Sequence, residues 1–282
     1  MDTNENNVTR RSLVKGVIGV GFALAVSPIE ATVLQTGTDG IDVGLRVFPA
    51  SNGHEMSAYV AFPVGVKRAP VIVVIQEIFG LHEHIQDVVR RFARLGFFAV
   101  APNLYQRQGD ATKAPMNRLM SDIVAKVPDA QVFADLDTLM EWVGKQPQAN
   151  HKRAAITGYC WGGRIVWLAC ARSKSFRAGA AWYGRLDGAR TEMTPLQPVD
   201  IATKLKAPVL GLYGGQDLGI PQTQIDSMKA LLPPTGVSGE FIIYPEAGHG
   251  FHADYRPSYR AADAKDGVTK MLAHFAKNGV KP

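Results

Sequence analysis

Ala154-Ala155-Ile156-Thr157-Gly158-Tyr159-Cys160-Trp161-Gly162-Gly163 decides how this chain folds. A short apolar strand, Ala154 to Gly158, runs straight into the start of a helix, with a glycine two positions to either side of Cys160. A turn that sharp drives residue 160 into a strained backbone conformation. Only residues without a side chain at the flanking positions let strand and helix close up. The thiol then stands above the carboxyl end of the sheet with a helix N-terminus aimed at it, a placement that favours thiolate over thiol. The five residues alone also fit a buried cysteine in an ordinary strand-to-helix turn, so the rest of the chain has to arbitrate.

Outward from this turn, the pattern alternates. Residues 41–48 and 56–62 predict two strands joined by a Ser51-Asn52-Gly53 turn, with Pro63 ending the second. Val71-Ile72-Val73-Val74-Ile75 is a continuous β-branched run, expected of a strand buried on both faces of a parallel sheet. Ile85, Val88, Val89 and Phe92 form an amphipathic helical stripe that stops at Gly96, and Phe97 to Ala101 is again a strand. Val132, Leu136, Leu139, Met140 and Val143 make a second stripe. Strands at 178–183, 208–213 and 240–244 follow, with a helix at 221–232 and a last one carrying Val268, Met271, Leu272 and Phe275. Alternating strands and helices imply a doubly wound, mostly parallel sheet with helices on both faces, as one α/β domain over 40–282. Residues 184–200, with Pro195 and Pro198, read as a long surface loop.

Two further residues give the turn its chemistry. Tyr213-Gly214-Gly215-Gln216-Asp217 follows one strand, and Gly248-His249-Gly250-Phe251 follows the last. Nucleophile, then acid, then histidine is the chain order of α/β-hydrolases, and each of the three lies just past a strand's carboxyl end. His249 can take the thiol proton and return it to a leaving group, while Asp217 holds the ring in one tautomer and orientation.

Gln76-Glu77-Ile78-Phe79-Gly80, Gly158-Tyr159-Cys160-Trp161-Gly162-Gly163, Leu212-Tyr213-Gly214-Gly215-Gln216-Asp217 and Gly248-His249-Gly250-Phe251 together resemble the dienelactone hydrolase family, over roughly residues 40–277. That family has an α/β-hydrolase fold and opens dienelactones to maleylacetate with a Cys-His-Asp triad and no cofactor or metal. The resemblance implies that Glu77 helps to generate the thiolate and that the backbone N–H groups of Ile78 and Trp161 form the oxyanion hole. It further implies that Arg107 holds the carboxylate of an anionic lactone or ester and that Tyr183 lines the pocket. The chain departs from the family in two ways. Ala253 stands where a second substrate-binding arginine is found, with Arg256 three residues further on as the candidate replacement. The well-known bacterial members are cytoplasmic and carry no export signal.

Such a signal is what residues 1–31 suggest. Arg10-Arg11 precedes an apolar stretch from Gly16 to Ile29, too short for a permanent membrane span of about 18 residues or more. The pair resembles the twin-arginine signal, which predicts delivery by that export machinery to the bacterial periplasm, with cleavage near Ala31. Composition narrows the remaining classes. With 282 residues, 46% hydrophobic and 20% charged, the chain is too apolar for disorder. Its +6 charge is spread with no basic run longer than two, which argues against a nucleic-acid partner. His82-Glu83-His84 lacks further ligands at metal-binding spacing. His252 reads as a rim residue and Cys170 as a small core residue, and no Cys-x-x-Cys pair supports thiol–disulfide exchange. Three readings stand: a cysteine-dependent lactone or ester hydrolase, a general esterase or thioesterase on the same machinery, and an exported binding protein without turnover.

Overall fold

The computed structural model describes residues 35–50 and 53–282. Eight strands form one sheet: β1 (Ile41–Pro49), β2 (Glu55–Pro63), β3 (Ala69–Ile75), β4 (Phe98–Pro102), β5 (Ala149–Tyr159), β6 (Ala178–Trp182), β7 (Val209–Gly214) and β8 (Gly239–Tyr244). Their order across the sheet is β1-β2-β4-β3-β5-β6-β7-β8. The first two strands pair antiparallel, as does β2 with β4, and every later pair is parallel.

Burial follows from these positions. Every residue of β3 and β4 is buried, as a central strand covered on both faces requires. The edge strand β1 instead buries Ile41 and Phe48 and leaves Leu45 and Val47 in solvent. Helices α1 (Glu83–Arg94), α2 (Met116–Asp122), α3 (Asp129–Gly144), α4 (Trp161–Arg172), α5 (Gln222–Leu231) and α6 (Ala261–Lys277) complete the chain, packed on both sides of the sheet in an α/β-hydrolase fold. On α6, Met271 and Phe275 are fully buried and Val268 and Leu272 pack partly against the core, the stripe that the sequence predicts.

Because β3 to β8 run parallel, their carboxyl ends share one edge, and the turns leaving β5, β7 and β8 open on the same side. Two departures from the expected elements lie above that edge. Helix α2 and the short 3-10 segment Val124–Lys126 form where the sequence pattern predicts no element. The stretch 184–200 is more than a surface loop: Leu186 and Gln197 are buried within it, and its end turns into a 3-10 helix at Pro198–Lys204. The export-signal expectation concerns residues 1–31, which lie outside the described residues.

Candidate active site

Cys160 sits between the end of β5 and the start of α4 with φ 55° and ψ −113°, a left-handed conformation that a non-glycine residue adopts only under constraint. Its N–H donates to the Trp182 carbonyl at 3.0 Å, and its own carbonyl accepts from Gly163 N–H at 3.0 Å, so both backbone groups are held. The flanking glycines are required by contact. A Cβ on Gly158 would lie 2.4 Å from the Gly162 carbonyl oxygen, and one on Gly162 would lie 2.5 Å from that of Ile75. Strand β3, strand β5 and helix α4 therefore meet backbone to backbone beneath the thiol.

His249 and Asp217 come from the turns after β8 and β7. His249 Nδ1 is 2.7 Å from Asp217 Oδ2, and Asp217 Oδ1 accepts the Gly219 N–H at 2.9 Å, which fixes the carboxylate. The other ring nitrogen, Nε2, is buried and turned to the Cys160 sulfur. Burial alone would lower the pKa of the imidazole. A negative Cys160 and the Asp217 carboxylate outweigh it and raise the pKa to about 10. The Tyr183 ring packs edge-on to His249 at 5.1 Å, and its buried hydroxyl makes no hydrogen bond.

Cys160, His249, Asp217, Ile78, Trp161 and Tyr183 all line one cavity of about 490 Å³. Among the described residues, the backbone N–H groups of Ile78 and Trp161 donate to no other group of the protein, which leaves both available to an oxyanion. The three other residues singled out in the sequence lie outside that lining. Glu77 is fully buried. It accepts from Tyr255 Oη at 2.7 Å and lies 3.4 Å from His82 Nε2 and 3.6 Å from Arg256 Nη2. Burial disfavours its charge, but Arg256 and His82 hold the carboxyl well below the usual range. Arg256 is itself buried, over the Phe79 ring at 5.1 Å. Arg107 pairs with Asp135, a fully buried carboxylate on α3.

His252 is not at the rim, as the sequence suggests, but buried, its ring 4.7 Å from Tyr159 and 4.6 Å from Trp182. His84 contacts Asp254 at 3.0 Å, and among the described residues no three His, Cys, Asp or Glu side chains are placed to hold a metal ion. Cys170 is fully buried, and burial pushes its thiol pKa up. The sequence reading missed the walls of the cavity: Met120, Val124 and Ala125 on one side, Ala189 and Met193 on the other. Helical spacing of Met116, Leu119, Met120, Ile123 and Val124 was the available signal for the first wall. Among the described residues no helix is long and apolar enough to cross a membrane.

Comparison with known proteins agrees with this fold. Residues 56–279 match the dienelactone hydrolase family. A protein of Methylorubrum extorquens named "Putative carboxymethylenebutenolidase" is 48% identical over 278 residues, covering 98% of this chain and 95% of its own length. One of the same name from Escherichia coli K12 is 50% identical over 263 residues, covering 93% of this chain and 96% of its own. The crystal structure of a "Putative Dienelactone Hydrolase" from Klebsiella pneumoniae superposes with a TM-score of 0.81 at 46% identity, over 85% of this chain and all of that one.

Proposed function

This chain belongs to the dienelactone hydrolase family, and from that premise we propose that it hydrolyses a lactone or carboxylic ester through Cys160, His249 and Asp217 by way of an acyl-enzyme. One observation supports this reading above the others: Cys160, at a strained positive φ, opens on the same cavity as a histidine held by a buried aspartate.

In this mechanism the thiol proton already rests on His249, and the Cys160 thiolate Sγ attacks the substrate carbonyl carbon. The carbonyl electrons move onto oxygen, where the Ile78 and Trp161 N–H groups receive the charge. Collapse expels the alkoxide, which takes the proton from His249 and leaves a thioester. Water, deprotonated by the same nitrogen, attacks the thioester, and the departing thiolate and the acid restore the resting site. Asp217 holds the ring through Nδ1 throughout. Tyr183, whose burial raises its hydroxyl pKa, stays a neutral hydrogen-bond donor toward the bound substrate. Glu77 and Arg256 act from outside the cavity lining, as a buried charged pair.

The test is direct. Cys160→Ala should lower kcat at least about a hundredfold with the fold intact, and a slowly deacylating ester should add its acyl mass to the wild type alone. Iodoacetamide should label Cys160 ahead of Cys170; the reverse order, or full turnover by Cys160→Ala, overturns the assignment. A second reading, a general esterase rather than a dienelactone hydrolase, is favoured by a specific observation: Arg107 and Arg256 are engaged by Asp135 and Glu77 and lie outside the cavity lining.

A further inference from the structure

We infer that the cavity selects a bulky, mainly apolar acyl group, such as a hexanoyl chain, over a small one. The inference rests on Cys160 acting in this cavity as the nucleophile. A volume of about 490 Å³ falls among pockets that enclose ligands of drug size, about 300–1,000 Å³. Its lining is mainly apolar and drawn from several separate segments. Met120 and Val124 come from α2 and the 3-10 segment after it; Met193 and Ala189 come from the loop after β6; Ile220 closes the side beyond Asp217.

Of the polar side chains on this surface, Arg164, Gln197, Thr191 and Thr194 are bonded within the protein, and Arg185 is, among the described residues, the one exposed cation on an otherwise mainly apolar lining. Arg164 on α4 makes a two-pronged pair with Asp129 at 2.8 and 2.8 Å and also donates to Gln197 Oε1 and the Leu196 carbonyl. Gln197 uses its amide on the Ala189 carbonyl, and the Asp129 N–H donates to the Met193 carbonyl. This buried network therefore fixes the loop wall to the helix that carries Cys160, and it faces its own partners rather than a ligand. The two methionines behave differently. Met120 and Met193 are 40% and 37% exposed, so each covers the cavity with an unbranched, adaptable thioether that moulds to varied apolar shapes. Each methylene that enters such a wall leaves water, and the gain in transition-state binding appears in kcat/KM.

The experiment is a chain-length series of p-nitrophenyl esters, acetyl to octanoyl, on the full chain. The expected result is a rise in kcat/KM of at least about tenfold from acetyl to hexanoyl. Met120→Asp and Met193→Asp change exposed wall positions rather than the core, and each should cut the hexanoyl-to-acetyl ratio at least fivefold. A wild-type profile that is flat or falls with chain length overturns the inference, as do ratios untouched by both substitutions. Cys160→Ala separates the two claims. If it still turns over acetyl ester, the catalytic assignment has failed. If it is inactive while wild type shows no chain-length preference, only the cavity inference has failed.

Discussion

At His249 two opposing influences meet, and their balance has a measurable sign. Burial disfavours the imidazolium, while Cys160 and Asp217 favour it and win, so the ring stays protonated in the folded protein up to about pH 10. An unfolded histidine titrates near about 6.5. The ring's contribution to stability is therefore complete below about pH 6.5 and is lost as the pH rises through about 10. Asp217→Asn removes one of the two favourable charges and lets the amide accept the wrong tautomer. Its His249 titration midpoint, followed by NMR, should fall, and kcat should drop by about 10²- to 10⁴-fold. An unchanged midpoint would separate Asp217 from the catalytic pair, whatever the activity. That Cys160, Asp217 and His249 share one cavity was legible in the sequence because each occupies a short turn after a strand. The partners of Arg107 and Arg256 were not, since Asp135 and Glu77 lie far away in sequence and only the folded sheet brings them close.

Among the elements, the junction of β3, β5 and α4 tolerates little change. Gly162 faces the carbonyl oxygens of Ile75 and Gln76 at 2.5 and 2.6 Å from where a Cβ would stand, and these are buried backbone atoms at and just past the end of β3 that cannot swing aside. Gly162→Ala should cost about 3 kcal/mol or more of stability in urea unfolding, and it should reduce kcat by moving the thiol and the start of α4 together. A loss below about 1 kcal/mol would show that the junction relaxes. The same crowding explains why this junction was readable: strands buried on both faces and paired glycines leave local signatures. Helix α2 left a weaker one. Of its apolar residues Leu119 is buried, whereas Met116 and Met120 are each 40% exposed, and Met120 faces the cavity instead of a core. A residue that lines a cavity is neither consistently buried nor consistently polar, so periodicity alone does not assign it.

For the molecule as a whole, the segment before the first strand joins the described chain to residues 1–31. The described chain is tied down before the first strand begins. Thr36 N–H donates to Asp87 Oδ1 at 2.5 Å, Arg90 Nε donates to the Thr36 carbonyl at 3.1 Å, and Arg94 donates to the Asp39 carbonyl at 2.9 Å. Asp87 is fully buried, so Thr36 satisfies an oxygen that water does not reach. If residues 1–31 are a twin-arginine export signal, as we propose, removal near Ala31 leaves these contacts whole, and a protein exported in the folded state needs no leader to stay folded. A chain starting at residue 32 should therefore match the full chain in kcat and in its urea midpoint. A chain starting at Gly40 loses the Thr36 and Asp39 bonds and should be less stable by about 1–3 kcal/mol. In cells, replacing Arg10 and Arg11 with lysine should leave the precursor folded and active in the cytoplasmic fraction while wild type reaches the periplasm, because the receptor reads the guanidinium pair and not the charge alone. Equal periplasmic yields of the two would show that the pair is incidental to export; retention of both in the cytoplasmic fraction would overturn the export signal itself.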